Sequence, residues 1–515
     1  MPLDAPLEPS LWALLPPLVA LGLAIYTRQV LIALGTGGLV GTVLLALRAE
    51  ATLVTGLGTG LLDFVRLGIL GQVSVASNAQ VMMLIALIGG FVYLLERSGA
   101  ARALALAITR GVRTPKQAMF ATWLSGLALF FSDFGSVLIV GPVFRPIYDK
   151  LHIPREKLAW IIDSTAAPVC VMLPFVTWGV YAMGLIEQGF DGQPPTRVEA
   201  VLPGLWQADA GTVDGFGAFI RAAPYQLYPL LCLLSIPIIL QLGGSWGAMR
   251  RARPAPPEAS STTGQTPSAI TAIAPLLVLL VVVVAIGGWS WSTTGKLTGS
   301  GVRLALATAY LAATGTCVAL LRQQGLGEGA WTWIREGLGR SAGLLVLLVL
   351  AWTLGDVCKQ LGTGATIAAW IGDGLPPSLL PLALFGAGAL TSFATGTSWG
   401  TFALLMPIAL PLSVALGAPA APCIGAVLSG GVLGDHTSPI SDTTLMASMA
   451  AGTEHADHVA TQLPYAAVAG MSAAVAFAFA GATASPWAIG VGMVALGLLT
   501  ATLHVAYRGR PSSDL

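Results

Sequence analysis

Gly434-Asp435-His436-Thr437-Ser438-Pro439-Ile440-Ser441-Asp442-Thr443-Thr444 places two carboxylates, an imidazole, five hydroxyls and a proline inside an otherwise apolar region. Polar, helix-breaking sequence at membrane depth is tolerated where it lines a cavity, so this stretch reads first as an ion or substrate site. The surrounding chain supports a membrane setting. Its 515 residues are 55% hydrophobic and only 10% charged, with a mean hydropathy of +0.79, whereas soluble domains carry about 25% charged residues. A formal net charge of +1 leaves no basic face for a nucleic-acid partner. Cys170, Cys232, Cys317, Cys358 and Cys423 lie in or beside apolar stretches at unrelated spacings, which suggests packing and neither a disulfide framework nor a zinc site. The start carries Asp4 and Glu8 and no basic region, so the first apolar run is expected to be a retained span.

Crossing the hydrocarbon core takes about 20 apolar residues. Candidates lie near 11–26, 30–47, 80–95, 118–149 as two short arms, 158–187, 224–242, 269–289, 302–321, 341–358, 378–417 as two arms, 420–434, 460–482 and 486–507. This predicts an all-α polytopic membrane protein of about 11–13 segments, with 51–72 and 326–340 at an interface. Lys and Arg in short loops set orientation. Arg97, Arg102, Arg110, Arg113 and Lys116 make 96–117 cytoplasmic, as Arg250, Arg251 and Arg253 do for 250–258. Asp191, Glu199, Asp209 and Asp214 place 188–223 outside. Basic Lys150, Arg155 and Lys157 follow the segment 118–149, so it must enter and leave on one side as a re-entrant dip; by the same count 378–417 dips from the other side. The expected organisation is N-terminal spans and an interfacial segment (1–79), a first inverted repeat (80–242), a cytoplasmic linker (243–268), connecting spans with an interfacial helix (269–340), a second inverted repeat with a terminal span (341–507), and a cytoplasmic tail (508–515).

The two dips overlay without a gap, Ser132-Asp133-Phe134-Gly135-Ser136 on Thr397-Ser398-Trp399-Gly400-Thr401, and Pro142, Pro146 and Pro154 fall on Pro407, Pro411 and Pro419. Each dip precedes a polar knot, Asp163-Ser164-Thr165-Ala166-Ala167-Pro168 in one half and Asp435-His436-Thr437-Ser438-Pro439 in the other; this second pairing needs gaps. Inverted repeats whose broken helices meet near the midplane are the architecture of secondary transporters.

A cation stripped of water needs oxygen ligands, and a broken helix offers carbonyls, hydroxyls and a dipole end together. Asp133, Asp163, Asp435 and Asp442 stand at the polar discontinuities, with Asp163, Asp435 and Asp442 the leading sodium ligands. A desolvated carboxylate holds either a proton or a cation, and that competition is the simplest antiport mechanism. Ser164, Thr165, Thr395, Thr397, Ser398, Thr437, Ser438, Ser441 and Thr443 supply hydroxyls nearby, although such groups also bond back to their own helices. His436 is a candidate proton partner or sensor. Glu454-His455-Ala456-Asp457-His458 reads as a solvated helix start rather than a ligand set. Glu96 and Glu187 end spans and are expected at interfaces, and Asp356 is expected to pair with Lys359. No Gly-x-Ser-x-Gly elbow surrounds these serines and no phosphate-binding loop occurs, which disfavours a membrane hydrolase and an ATP-driven pump. No cofactor is called for.

The stretch 434–444, with Gly452-Thr453-Glu454-His455-Ala456-Asp457-His458-Val459 and Thr461-Gln462-Leu463-Pro464-Tyr465, resembles the signature of the NhaC-type sodium/proton antiporter family, as does Asp163-Ser164-Thr165-Ala166-Ala167-Pro168. The resemblance implies inverted repeats with two re-entrant hairpins, a transport domain moving against a scaffold, often a dimer, and sodium and protons as substrates in a cell membrane. Some relatives couple sodium or protons to organic acids or amino acids. The polar knots hold no Arg or Lys, and only Arg145 lies within approach of one, which leans toward plain cation exchange.

Overall fold

The computed structural model describes residues 10–49, 52–208, 211–242, 245–256, 266–294, 299–371 and 374–507. Asp4, Glu8, Asp209, most of the Pro-rich linker's centre and the 508–515 tail lie outside the described residues. Among those described, eleven helices are long and apolar enough to cross a membrane. The one sheet among them pairs Trp206–Gln207 antiparallel with Thr212–Val213, with Trp206 opposite Val213.

Two segments expected at an interface differ from that reading. Leu53–Ser74 is one continuous 22-residue helix, apolar enough to span. Its turns Phe64–Gly71 are π-helical, which lets Gly68 press against Thr353 and offer its carbonyl to Thr353 Oγ1 at 2.8 Å. The 326–340 segment becomes Ala330–Arg340, which runs almost directly into Ala342–Gln360 as part of a 31-residue candidate span.

Both dips are helical hairpins. The first joins Pro115–Ala128 to Asp133–Lys150, and the second joins Leu380–Thr395 to Ser398–Leu416. Ser132 caps the returning arm of the first by accepting from Gly135 N, and Thr397 does the same for the second from Gly400 N; their φ/ψ angles are −149°/121° and −149°/124°. The repeat thus recurs as backbone geometry, and its sequence offset, 265 positions from Pro142 to Pro407 (407 − 142), continues downstream. The next helix starts at Arg155 in one half and Ala420 in the other, and the helix after the break starts at Thr177 and Asp442. Pro154 and Pro419 are the residues immediately preceding those helices.

This offset corrects the pairing of the knots. Ala420–Thr437 breaks at 438–441, and the matching break in the first half is 171–176, where Pro174 stands opposite Pro439. Asp435 therefore corresponds to Cys170, not to Asp163. Asp163 lies earlier, at the end of Arg155–Ser164, where a short irregularity separates that helix from Ala167–Cys170. The next helices are Leu227–Leu242, reached through the 191–226 insertion, and the 29-residue His455–Thr483. Each packs on the other half: Leu227–Leu242 lies against Ala420–Thr437, and His455–Thr483 against Arg155–Ser164.

Candidate functional site

Asp163 is buried and lies where the two halves interlock. Its Oδ2 accepts a hydrogen bond from Gln462 Nε2 at 2.8 Å and faces His458 Nε2 at 3.3 Å. His458 and Gln462 are one turn apart, so both project from the same face of His455–Thr483. Gln462 Nε2 also donates to the His436 carbonyl at 2.5 Å, which ties that helix to the end of Ala420–Thr437.

His436 is hydrogen-bonded at both ring nitrogens. Nδ1 meets the Tyr228 hydroxyl at 2.6 Å and Nε2 meets Ser164 Oγ at 3.1 Å. A neutral imidazole donates through one nitrogen and accepts through the other, so the two hydroxyls take complementary roles. The chain Tyr228–His436–Ser164 crosses from Leu227–Leu242 through the second half to the residue beside Asp163.

Asp435, one residue before His436, faces the second dip. Its Oδ2 accepts from Ser398 Oγ at 2.7 Å and from Ser398 N at 3.1 Å, and the same hydroxyl lies 3.2 Å from the Gly431 carbonyl. Ser398 is the first residue of its helix, so the carboxylate sits on free N–H groups at the positive end of the dipole. Asp435 Oδ1 is buried and has no hydrogen-bond partner among the described residues. Asp133 repeats this pattern at the tip of the first dip: it is the first residue of its helix, and its Oδ2 is buried without a hydrogen-bond partner among the described residues. Asp442 is exposed and its Oδ1 accepts from Thr443 N at 2.9 Å.

The hydroxyls divide into two groups. Ser164 and Ser398 join the networks just described. Thr165, Thr395 and Thr437 bond back to carbonyls of their own helices, Thr397 caps a helix, and Ser438 Oγ donates to Phe393 O at 2.7 Å. Ser441 Oγ and Thr443 Oγ1 lie 2.9 Å apart, and Ser441 also caps the Asp442–Ala451 helix. Asp163, Asp435 and Asp442 do not converge on one ligand set. Among the described residues no group of three or more His, Cys, Asp or Glu side chains is placed to hold a metal ion. Asp163 is held by an amide and an imidazole and Asp435 by a helix end, while Asp442 is solvent-exposed and bonds the Thr443 N–H.

Several sequence expectations change. His458 is fully buried on Asp163 rather than solvated, although His455 stays near the surface, bonding Ser448 Oγ and the Pro439 carbonyl. The i, i+4 spacing of His458 and Gln462 was the available signal. Glu96, at the end of its span, accepts from Ser132 Oγ at 2.6 Å, touching the first dip's cap. Glu187 pairs with Arg303 at 2.7 Å. Lys359 pairs with Asp191 at 2.6 Å, while Asp356 accepts from Gln360. Arg145 packs against Gly452, at the far end of the Asp442–Ala451 helix from Asp442. Tyr228 carried no sequence signal as a site residue.

The model of the Na+/H+ antiporter family matches residues 4–197 and 169–482 of the chain. An uncharacterized protein of Haemophilus influenzae is 30% identical over 480 residues, 89% of this chain and 88% of that one. A malate-2H+/Na+-lactate antiporter of Bacillus subtilis is 33% identical over 137 residues, 24% of this chain and 27% of that one. The crystal structure of the Alcanivorax borkumensis YdaH transporter superposes with a TM-score of 0.56 at 16% identity, covering 83% of this chain and 89% of that one, and so shares its fold.

Proposed function

The chain belongs to the Na+/H+ antiporter family, a multi-pass sodium/proton antiporter, and from that premise we propose that Asp163 and Asp435 carry the exchange. The observation that supports this reading is Asp435: one carboxylate oxygen is fixed by Ser398, and the other is buried with no hydrogen-bond partner among the described residues. An unpaired buried acceptor is costly unless a cation or proton completes it. Oxygen groups nearby, the Gly431 carbonyl and the Ser398 hydroxyl, suit sodium as the cargo. Asp163, surrounded by Gln462, His458 and His436, is the second carboxylate, and Asp133 and Asp442 line the route to the pair. His436, Ser164 and the hydroxyls of 437–443 order the broken helix between them.

The cycle is sodium export against proton entry, with a transport domain carrying the two dips past a scaffold, in a dimer, in the cell (inner) membrane with a cytoplasmic C-terminus. We read the chain as a transporter and not as a hydrolase. A second reading, a sodium- or proton-coupled exchanger of a small organic acid or amino acid, is favoured by the local match to the Bacillus subtilis antiporter. The absence of Lys and Arg from the hydrogen bonds of Asp163, Asp435 and His436, among the described residues, speaks against a carboxylate cargo.

The test is sodium-induced proton movement in proteoliposomes holding the purified protein and an internal pH dye. A pH change with sodium alone supports cation/proton exchange. A change only when malate, lactate or an amino acid is supplied replaces it with the second reading.

A further inference from the structure

Away from the carboxylates, a groove of about 440 Å³ opens between Pro115–Ala128, the entering arm of the first dip, and the far end of Leu227–Leu242. Its cause lies in Pro237. A proline inside a helix removes the N–H that would bond the carbonyl four residues earlier and prevents regular packing at that turn. Here the orphaned Leu233 carbonyl accepts from Trp123 Nε1 at 3.1 Å, so the entering arm is pinned to the second helix on one side of the proline and parts from it on the other. The walls beyond that pin are apolar and open, with Phe120 47% and Leu124 43% exposed, and Ile108 and Leu240 complete them.

The rim is polar on both helices. Lys116 and Gln117 stand at the start of one and Gln241 at the end of the other, all exposed. Arg113 precedes them and is tied in place through its N–H to Gln117 Oε1 at 3.0 Å. Among the described residues neither Arg113 nor Lys116 makes an ion pair. The rim also coincides with the capped N-terminus of the 14-residue Pro115–Ala128 helix, whose dipole adds positive potential.

We propose that this groove binds an anionic phospholipid, one acyl chain lying on Phe120 and Leu124 and the phosphate held at the rim by Lys116 and Arg113. The match is one of charge and shape: an open apolar slot ends beside two exposed cations that make no ion pair among the described residues, the arrangement that selects acidic headgroups. The site is independent of the exchange reaction and of the carboxylates that serve it.

The test is native mass spectrometry of the full-length protein in detergent, titrated with phosphatidylglycerol and phosphatidylcholine of identical chains. Wild-type protein is expected to prefer phosphatidylglycerol, and the double variant Arg113→Gln/Lys116→Gln is expected to lose that preference by about fivefold per basic residue. Leu124→Trp, which fills the slot, is expected to weaken both lipids while leaving the unfolding temperature in lipid-free detergent unchanged. Equal binding of the two lipids by wild type, an undiminished preference in the double variant, or loss of the preference on adding millimolar inorganic phosphate overturns the proposal.

Discussion

Two helix breaks, 171–176 and 438–441, occupy equivalent places in the two halves, yet one is Val171-Met172-Leu173-Pro174-Phe175-Val176 and the other Ser438-Pro439-Ile440-Ser441. The proline is common to both and the hydroxyls are not. The same divergence runs through the facing positions. At the second dip a hydroxyl, Ser398, meets a carboxylate, Asp435. At the first dip the carboxylate, Asp133, is on the hairpin and the facing residue is Cys170, whose thiol reaches the Phe130 carbonyl at 3.1 Å. Repetition has preserved a backbone that brings a helix N-terminus against a break; the chemistry at that junction has become unequal. The two junctions are therefore not copies of one arrangement of side chains: one break is polar and the other apolar, with an acid on the helix beside the break in one half and on the hairpin in the other.

The strongest way to break this comparison is to exchange the charge at the equivalent positions 170 and 435. Asp435→Asn is expected to reduce sodium-driven proton movement in proteoliposomes to under about one hundredth of wild type, since it removes the buried carboxylate that Ser398 holds at the second junction. Cys170→Ser is expected to stay within about twofold, because a neutral hydroxyl replaces a neutral thiol. Comparable losses in both would mean that the two junctions are functionally equal.

How much of this was legible in the chain follows from the same contrast. The dips, their gap-free alignment and the offset to Pro154 and Pro419 could be read because prolines and glycines mark backbone directly. The first break could not, because it contains no polar residue, and the likeness of Asp163-Ser164-Thr165 to Asp435-His436-Thr437 drew the pairing to the wrong turn. Pro174 at the constant offset was the sole mark of the true one. The acids of the site were visible as charges in apolar sequence. Their partners were less so: Tyr228 carried no signal and His458 and Gln462 only an i, i+4 spacing, because burial of a polar side chain depends on packing between segments more than 200 residues apart.

A second asymmetry concerns stability. Asp149 and Arg155 form a buried bidentate pair, Nε to Oδ1 at 2.9 Å and Nη2 to Oδ2 at 2.8 Å, and Arg155 Nη1 reaches the Gly452 carbonyl at 3.2 Å. The corresponding residues, Val414 and Ala420, are apolar. Arg155→Met leaves Asp149 charged and buried and is expected to destabilise by about 3–5 kcal/mol, read as a lowered unfolding temperature in detergent. Ala420→Ser, at the matching position, is expected to cost about 1–3 kcal/mol. Equal losses would make the clamp irrelevant to the difference between the halves.

Ser398→Ala sharpens the second junction. The backbone N–H to Asp435 remains and the hydroxyl is lost, so the half-saturating sodium concentration is expected to rise by about 10- to 100-fold with a smaller change in maximal rate. An unchanged sodium dependence would separate Ser398 from the cation.

The smallest expected effect tests how the halves are braced. Tyr228 and His458 stand in the first turns of Leu227–Leu242 and His455–Thr483, and each reaches across, Tyr228 to His436 of the second half and His458 to Asp163 of the first. Tyr228→Phe removes one neutral hydrogen bond and leaves the ring's packing intact, so exchange is expected to fall by about three- to tenfold. The remaining Ser164 contact still holds the imidazole, though with one nitrogen unsatisfied. If the brace is shared, the double variant Tyr228→Phe/His458→Gln loses less than the product of the single losses, because each single change already releases the crossing that the other supports. Strict multiplication of the two losses would make the contacts independent and reduce the brace to two unrelated hydrogen bonds.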